Sequence, residues 1–348
     1  MNPSSTDPIL KKHWPYRPVM DSGMESPWLW LGTWSMGGEG FGKSDAHEAE
    51  AVLNRAFEQG VRHFDTAGLY AHGRSEELLA RALAKKRPNV FLSSKGGLVW
   101  HGNQVKHRAT REDLSVQLQA SLKRLRTDYL DLYQLHWPDP AVPIEESLDA
   151  LADFQKRGLV RHWGVGNFDS SRVARFFPEG AFVPHQFHFN PIHQNREVLA
   201  AGKTGQRCCG CAYSPLEQGL LGDSPGGFGV RKFGSRDLRN RNRYFSSQQV
   251  GRWLLELDGL ARETAMSRVT LTLLWILASG LEAVIPGPRT LVQLEKTLEH
   301  RAWISRLGPE WPVKLRQYVG PELWEHLEKG PGIVQRESAD EKIGDDRL

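Results

Sequence analysis

Eight short apolar segments alternate with longer amphipathic stretches along this chain, and no other feature limits its possible folds as strongly. The segments are predicted strands at 28–32, 61–65, 90–95, 129–136, 160–167, 182–187, 208–214 and 281–287. Repeated alternation of strand and helix predicts a parallel sheet covered by helices. Eight units within about 300 residues favour an α/β fold of the closed (β/α)8 barrel type over an open sheet.

The amphipathic stretches are predicted helices at 45–59, 74–86, 111–126, 145–157, 168–177, 248–265, 268–279 and 290–300. A loop rich in glycine, arginine and asparagine, 222–247, follows the seventh strand. The helical pattern is clearest in 111–126, where one face carries Leu114, Leu118, Leu122 and Leu125. Thr110 precedes this helix as a predicted N-cap, with Asp113 three residues later as in a capping box.

We expect a single barrel domain over residues 28–330, with an N-terminal extension at 1–27 and an acidic, mobile tail at 331–348. The extension lacks the apolar core of a signal peptide. The longest apolar stretch, 271–278, is shorter than the roughly 18 to 20 residues of a membrane span.

Charge and cysteine content exclude several classes of protein. The 348 residues contain 45 Lys and Arg against 41 Asp and Glu, and this formal charge of +4 is too weak to indicate a nucleic-acid or membrane-surface partner. Cys208, Cys209 and Cys211 lie too close together for a disulfide scaffold or an easily wrapped zinc ion. We therefore expect a reduced, cytoplasmic protein whose thiols act as small buried hydrophobes.

Residues 37–44 read Gly-Gly-Glu-Gly-Phe-Gly-Lys-Ser, which satisfies the G-x-x-x-x-G-K-[ST] pattern of phosphate-binding loops. Four further residues, 33–36, separate this segment from the preceding strand, and no later strand offers a convincing carboxylate for a metal ion. We interpret the segment as a glycine-rich turn rather than a nucleoside triphosphatase site.

Polar side chains end nearly every predicted strand, and the active site of a (β/α)8 barrel lies at that face. In chain order these strand-end residues are Thr33, Trp34, Asp65, Lys95, His136, Asn167, Gln186, Tyr213 and Ser214, followed by Pro286, Gly287, Pro288 and Arg289. The stability of a barrel does not require Asp, Lys and His side chains together at one end. The pattern therefore indicates a catalytic site.

Tyr70 lies five residues after Asp65, in the loop over the same mouth. A free phenol has a pKa near ~10, and we expect the Lys95 ammonium to lower the pKa of Tyr70. Asp65 would hold Lys95, and His136 would orient a substrate oxygen. Protonation of a carbonyl without metal or nucleophile implies a hydride source, hence a nicotinamide cofactor. No G-x-G-x-x-G fingerprint follows a strand, which disfavours an open Rossmann site.

Seven motifs in order resemble those of the aldo-keto reductase superfamily, over about residues 28–300. They are LGTWSMGG (31–38), GVRHFDTAGLYAHGRSEELLARAL (60–83), LSSKGG (92–97), SLKRLRTDYLDLYQLHWPDP (121–140), GLVRHWGVGNF (158–168), YSPLEQGLLG (213–222) and VIPGPRTLVQLE (284–295). The resemblance implies a barrel that binds NADP(H) and a catalytic tetrad. Tyr70 would be the general acid/base, Lys95 and Asp65 its tuning pair, and His136 the orienting residue.

The resemblance also implies a cofactor site. Asn167 and Gln186 would bind the carboxamide, and Tyr213 would stack on the nicotinamide. Arg289 would hold the adenosine 2′-phosphate, so that NADPH is preferred over NADH. The other implied cofactor contacts are Thr33, Trp34, Asp65, Gly166, Ser214, Pro215, Leu216, Gln218, Gly219, Gly287 and Gln293.

The chain departs from the family pattern at three places. Ala71 stands where relatives carry glycine, and Gly166 where they carry serine. Lys296 and Thr297 replace the usual Glu-Asn pair, and we expect Lys296 to add a second cation near the phosphate.

The resemblance favours an NADPH-dependent reductase of aldehydes and ketones, acting on a small-molecule carbonyl or alcohol. Two alternatives stay open: a redox-sensing regulatory subunit that binds NADP(H), and the same chemistry run as an alcohol or sugar dehydrogenase. The predicted substrate mouth consists of Trp34, Tyr70, Trp100, His136 and Trp137. Its flat rings would favour cyclic or aromatic substrates, unless these are scattered structural tryptophans.

Two further clusters have competing interpretations. The loop 231–243 is basic, and both a solvated loop and a phosphate clamp stay open for it. A nucleic-acid patch is disfavoured, because interleaved aromatic residues beyond Phe233 are missing. His185 and His188 are an odd number of positions apart on a strand, so they are not expected to share a metal ion with His193.

Overall fold

The computed structural model describes residues 28–332 except 39, 43, 224–232 and 236. The predicted extension at 1–27 and all but two residues of the predicted tail lie outside the described part. The described strands are β1 Trp30–Gly32, β2 His63–Asp65, β3 Phe91–Gly96, β4 Leu98–His101, β5 Gln104–His107, β6 Leu130–Leu135, β7 Val160–Gly166, β8 Val183–His188, β9 Cys208–Tyr213 and β10 Ala283–Ile285.

Eight of these strands form one parallel sheet, in the order β1-β2-β3-β6-β7-β8-β9-β10. A parallel bridge between Leu29 and Val284 joins the last strand to the first. The amide of Gly32 also donates to the carbonyl of Pro286 at 2.9 Å. The eight strands match the eight predicted segments, and the predicted (β/α)8 barrel is confirmed.

Helices cover the outside of the sheet. They are α1 Ala46–Glu58, α2 Arg74–Leu83, α3 Arg111–Leu125, α4 Ile144–Lys156, α5 Ser170–Phe176, α6 Arg196–Lys203, α7 Gln248–Ala261, α8 Arg268–Ala278, α9 Leu291–Leu298, α10 His300–Leu307 and α11 Trp311–Lys329. Within the described ranges, none of these helices is both long and apolar enough to cross a membrane.

Helix α3 shows how the local sequence sets these boundaries. Its four periodic leucines are all buried against the sheet. The hydroxyl of Thr110 accepts the amide of Asp113 at 3.1 Å, so the predicted N-cap is confirmed. Such a cap contributes about 1 kcal/mol of helix stability. The helix ends at Arg126, which adopts a left-handed conformation.

The sequence did not predict α6, α10, α11 or the hairpin of β4 and β5. Helix α6 is only eight residues long, and its apolar side chains Val198 and Leu199 are partly buried against the core, so its pattern is too short for periodicity to reveal. The hairpin turns at Gly102 and Asn103, a two-residue signal that the sequence does contain. Helix α11 is interrupted at Gly320 (φ 80°), which divides its pattern in two.

The barrel interior has an apolar lower part and a polar upper part. Strand residues alternate between the two faces of a sheet. The inward-facing positions therefore form a buried cluster of Trp30, Phe91, Leu132, Cys209, Cys211, Ala283 and Ile285. Further along the same faces, towards the ends of the strands, the inward positions become polar.

Candidate active site

Asp65, Lys95 and His136 meet because they lie at the ends of three neighbouring strands. The register pairs Asp65 with Ser93 across β2 and β3, and Lys95 with Gln134 across β3 and β6. His136 directly follows β6, and its amide donates to the carbonyl of Gly96 at 2.8 Å. These three predicted catalytic residues are therefore close together at the carboxyl end of the barrel.

Lys95 and Asp65 form a buried ion pair, with 2.5 Å between Nζ and Oδ1 and side-chain exposures of 3% and 4%. The ammonium also donates to the carbonyl of Thr66 at 2.9 Å and to the Tyr70 hydroxyl at 3.4 Å. Burial alone would lower the pKa of Lys95, but Asp65 and Tyr70 raise it above the ordinary value. Lys95 is therefore a fixed positive charge beside the phenol.

Tyr70 begins the short 3-10 turn that follows β2. Its burial raises the pKa of the phenol above 10.0, although the Lys95 charge lowers it, and Asp65 adds to the increase. The Lys95 charge therefore acts in the expected direction, but it does not bring the net pKa of Tyr70 below its ordinary value. Desolvation of the phenolate outweighs the attraction of the ammonium, so the phenol retains its proton.

The departure at Ala71 has a visible conformational cost. Ala71 adopts φ 47°, a left-handed conformation that favours glycine. Such a conformation costs about 1–2 kcal/mol in a residue with a Cβ atom. Gly37 makes room for it, because a Cβ added at Gly37 would collide with the Ala71 methyl group.

His136 is 9% exposed, and its ring lies edge-on to the Tyr70 ring at 5.7 Å between centroids. Its buried Nδ1 has no hydrogen-bond partner among the described residues. Burial, and then the charges of Lys95 and His107, hold the pKa of His136 well below its ordinary value. The imidazole is neutral, so one ring nitrogen can donate a hydrogen bond and the other can accept one.

A second polar layer, missed by the sequence analysis, lies beneath these residues. Ser93 and Gln134 each precede a predicted catalytic residue by two positions, as does His63, so they share the inward face. His63 Nε2 is 2.8 Å from Ser93 Oγ, which donates to Asp65 Oδ2 at 3.2 Å. The two-residue spacing is the sequence signal that could have identified this layer.

Gln186 joins this layer to the predicted cofactor side. Its Nε2 donates to Asp65 Oδ2 and to Gln134 Oε1, both at 2.7 Å. Asn167 adopts φ 60° directly after β7 and donates from Nδ2 to the carbonyl of His136 at 2.9 Å. The hydroxyl of Tyr213 donates to Asn167 Oδ1 at 2.8 Å, so Tyr213, Asn167 and His136 are linked.

Close packing accounts for the departure at Gly166. A Cβ atom added there would lie 2.6 Å from the carbonyl oxygen of His136, so a serine would require a local shift. Thr33 is held at the end of β2, because its amide and its hydroxyl both donate to the carbonyl of Asp65, at 3.0 and 3.1 Å.

The segment after β9 forms a tight turn that carries five of the predicted cofactor residues. They are Ser214, Pro215, Leu216, Gln218 and Gly219. Asn190 Nδ2 donates to the carbonyl of Ser214 at 3.0 Å, and Asn242 Nδ2 donates to Gln218 Oε1 at 3.3 Å. Both neighbours hold the turn against the barrel.

Gly287, Arg289 and Gln293 lie together after β10. Ser35 Oγ donates to the carbonyl of Gly287 at 3.1 Å. The Arg289 amide donates to Gln293 Oε1 at 2.7 Å, and its guanidinium donates to the carbonyl of Phe41 at 2.5 Å. The structure thus collects the three predicted residues beside the loop after β1.

The Lys296 ammonium pairs with a carboxylate that follows β9, with 3.5 Å between its Nζ and Asp223 Oδ2. Its expected role as a second cation near the phosphate stays a prediction. The carboxylate of Asp223 compensates the charge, and nothing in the local sequence around 296 indicates this pairing.

The loop after β9 also docks on the glycine-rich turn. The Leu238 amide donates to the carbonyl of Gly40 at 2.8 Å. Arg239 pairs with Asp237 at 2.6 Å and lies 4.2 Å from the centre of the Phe233 ring. Of the basic residues predicted in 231–243, Arg231, Lys232 and Arg236 lie outside the described residues, as does Lys43 of the glycine-rich segment.

Aromatic rings line one side of the mouth. The ring of Trp34 is 6.3 Å from that of Tyr70. Trp100, on the β4–β5 hairpin, donates from Nε1 to the carbonyl of Leu69 at 2.8 Å and stacks on His72 at 4.7 Å. Trp137 and Trp100 pack with Tyr70 on a small buried apolar cluster. The four predicted aromatic residues therefore surround the same space.

The cysteines and histidines that could suggest a metal site are separated. All three cysteines are buried free thiols, and burial raises the pKa of Cys208 to about 12. His185 faces away from His188, which stacks on His193 at 4.0 Å. Among the described residues, no group of three His, Cys, Asp or Glu side chains could hold a metal ion.

Comparison with known proteins agrees with this geometry. The model of the aldo/keto reductase family matches residues 29–303. The aldo-keto reductase YhdN of Bacillus subtilis is 34% identical, over 88% of this chain and 97% of that protein. The methylglyoxal reductase DkgA of Salmonella typhimurium is 31% identical, over 68% and 78%.

A solved structure supports the same assignment. The glycerol dehydrogenase AKR11B4 from Gluconobacter oxydans superimposes with a TM-score of 0.70 at 25% identity, covering 84% of this chain and 95% of that one. The chain therefore belongs to the aldo/keto reductase family, whose members use nicotinamide cofactors, and it is an oxidoreductase of that family.

Proposed function

We propose that the chain is an NADPH-dependent reductase of aldehydes and ketones in which Tyr70 donates the proton. The observation that carries this proposal is the buried sequence of contacts from Asp65 to Lys95 at 2.5 Å and from Lys95 to the Tyr70 hydroxyl at 3.4 Å. A phenol beside a fixed positive charge can release a proton and be stabilised as phenolate.

The residues around the mouth fit a nicotinamide cofactor. The amides of Asn167 and Gln186 suit the carboxamide, and the partly exposed ring of Tyr213 suits a flat aromatic face. The unpartnered Nδ1 of His136 is a buried polar atom of the kind that a ligand satisfies. When bound, the reduced cofactor supplies the hydride for the carbonyl carbon.

Each proposed catalytic residue then has a defined task. The hydroxyl proton of Tyr70 passes to the carbonyl oxygen, which becomes the hydroxyl of the product alcohol. Lys95 stabilises the negative charge that remains on the phenol oxygen, and Asp65 keeps Lys95 in place. The neutral His136 donates a hydrogen bond to the same carbonyl oxygen and orients it.

NADPH preference rests on Arg289. A guanidinium can form two hydrogen bonds with one phosphate. Arg289 is partly exposed beside Gly287 and Gln293, on the segment that the family uses for the 2′-phosphate. Lys296 would add a second cation near this phosphate, with part of its charge compensated by Asp223.

The aromatic side of the mouth supports ringed carbonyls as the preferred substrates. Trp34, Trp100 and Trp137 offer flat apolar faces near Tyr70. The names of two relatives, a methylglyoxal reductase and a glycerol dehydrogenase, indicate small carbonyls and alcohols as the broader class.

The test is a steady-state assay of NADPH oxidation with small aliphatic aldehydes, aromatic aldehydes, cyclic ketones, keto-sugars and quinones. We expect turnover with several of them and the highest kcat/KM for a ringed carbonyl. Cofactor binding without turnover would instead support a redox-sensing subunit. A higher kcat/KM with alcohols and NADP+ would support a dehydrogenase. A clear preference for small aliphatic aldehydes would contradict the role of the tryptophans.

A further inference from the structure

Glu217 is a buried carboxylate outside the predicted catalytic set. It lies in the 3-10 turn Glu217–Gly219 after β9 and is 2% exposed. His188 Nε2 lies 2.7 Å from its Oε2, and Asn190 Nδ2 donates to the same oxygen at 2.8 Å. Asn242 Nδ2 donates to Oε1 at 2.7 Å. One carboxylate therefore connects β8, the loop after it, and the loop after β9.

The backbone around Glu217 is strained. Ser214, Glu217 and Gln218 have φ values of 48°, 44° and 53°, in the left-handed region. Such a conformation is unfavourable for a residue with a Cβ atom and persists only where its surroundings impose it. The contacts of the Glu217 carboxylate, with the bond from Asn190 to the Ser214 carbonyl, impose it here.

His188 links this carboxylate to the proposed nicotinamide platform. Its ring stacks between those of His193 at 4.0 Å and Tyr213 at 5.4 Å. An ionised carboxylate only accepts hydrogen bonds, so Nε2 of His188 carries the hydrogen. The tautomer and the orientation of the ring are thereby determined, and the ring supports Tyr213.

The electrostatics agree with a permanent contact. Burial alone would raise the pKa of Glu217, but His188 and the two asparagine amides lower it to about 2. The carboxylate is charged at any pH at which the enzyme would work.

We propose that Glu217 and His188 form a positioning pair that presets the Tyr213 ring and the 214–219 turn for the cofactor. This inference rests on the proposed function, in which Tyr213 stacks on the nicotinamide and the 214–219 turn contacts the cofactor. Neither Glu217 nor His188 touches the reacting atoms. Their contribution is to hold the strained turn in place before the cofactor binds, so that binding does not have to order it.

The test compares dissociation constants of NADPH, measured by quenching of tryptophan fluorescence, for wild type and Glu217→Gln. The substitution keeps the shape but turns one acceptor into a donor that faces existing donors. We expect the dissociation constant to rise about tenfold. At saturating NADPH, kcat should stay within about twofold of wild type, because the proton donor is untouched.

Glu76→Gln is the matched control. Glu76 is also fully buried and binds Ser94 and Arg124, each at 2.6 Å, away from the 214–219 turn. We expect this variant to lower the melting temperature while leaving the NADPH dissociation constant unchanged. Equal weakening of NADPH in both variants would show a general loss of stability and would overturn the proposal.

Two substitutions of His188 separate its hydrogen bond to Glu217 from its stacking on Tyr213. His188→Gln retains a donor that can reach Glu217, whereas His188→Phe retains a flat ring without a donor. We expect His188→Phe to weaken NADPH binding about as much as Glu217→Gln does. His188→Gln, which keeps the hydrogen bond but loses the stacked ring, should weaken it by a smaller factor of about threefold. These variants also carry the test if Glu217→Gln does not fold.

The proposal fails if folded Glu217→Gln and His188→Phe bind NADPH as tightly as wild type does. The proposed function fails differently, because wild type itself would then show no NADPH binding or no turnover.

Discussion

The two sides of the barrel mouth each contain a buried carboxylate, but they are constructed in different ways. On the catalytic side, Asp65 pairs with Lys95 at the ends of two adjacent strands. On the proposed cofactor side, Glu217 lies in a turn with strained backbone and binds His188 of β8 and two asparagines from loops. The first carboxylate stabilises a charge that the proposed proton transfer needs, and the second stabilises a conformation.

This difference follows from the geometry of the supporting elements. Strand ends are rigid, so side chains two residues apart automatically share one face. Loops require additional contacts to reach comparable order, and a buried carboxylate with three donors provides them. Removing a partner on the catalytic side should therefore affect the chemical step, while removing one on the cofactor side should affect binding.

Tyr70→Phe should give the largest effect. It removes the proposed proton donor, so kcat should fall by roughly 10²- to 10⁴-fold. The dissociation constant of NADPH should stay within about twofold of wild type, because Tyr70 is assigned no cofactor contact. Steady-state kinetics and fluorescence titration measure the two quantities.

Tyr318→Phe is the control for this change. Tyr318 lies in α11 and donates its hydroxyl to the carbonyl of Thr264 at 3.0 Å. Loss of the Tyr318 hydroxyl should leave kcat unchanged. Near wild-type turnover in Tyr70→Phe would show that the assignment of the proton donor is wrong.

Lys95→Met should cost about 3–5 kcal/mol in the free energy of unfolding, because it leaves Asp65 buried without its cation. The double variant Lys95→Met/Asp65→Asn should recover most of this loss. Urea denaturation of the single and double variants measures the coupling between the two residues.

Lys296→Met provides the comparison, since Lys296 and Asp223 are partly exposed, at 39% and 20%. Solvent screening limits the contribution of such a pair to about 1 kcal/mol or less. If Lys95→Met lowers the free energy of unfolding no more than Lys296→Met does, the stabilising role assigned to the buried Lys95–Asp65 pair is wrong.

Arg289→Ala tests the far end of the cofactor side. It should raise the dissociation constant of NADPH about tenfold or more, because charge-assisted hydrogen bonds contribute about 1.5–3 kcal/mol. Binding of NADH, which lacks the 2′-phosphate, should be nearly unchanged. Lys296→Met should change the dissociation constants of NADPH and NADH by no more than about threefold. Equal weakening of both cofactors by Arg289→Ala would remove its role at the 2′-phosphate.

The smallest expected effect is the dependence of kcat on pH near neutrality. Because burial raises the pKa of Tyr70, the phenol stays protonated through neutral pH. The kcat for reduction, which needs the protonated form, should be level there and fall only above about pH 10. Alcohol oxidation needs the phenolate, so its kcat should rise with pH over the same alkaline range. A reduction rate that already falls near pH 7 would show that another group controls the reaction.

The sequence by itself determined the barrel and the residues that meet on the proposed catalytic side of its mouth. Strand alternation, the leucine spacing of α3 and its Thr110 cap are local signals that span a few residues. Asp65, Lys95 and His136 could be grouped because the carboxyl ends of parallel strands share one face. The same two-residue spacing also places Ser93 and Gln134 on that inward face.

Only the tertiary structure decided the electrostatics and the cofactor side. The pKa of Tyr70 is raised because burial outweighs Lys95, and burial depends on elements far apart in the chain. Lys296 meets Asp223, and Glu217 meets His188 and Asn242, across separations that no periodicity encodes. These contacts join loops whose paths are set by packing against the finished barrel, so they follow from the fold rather than from any local sequence pattern.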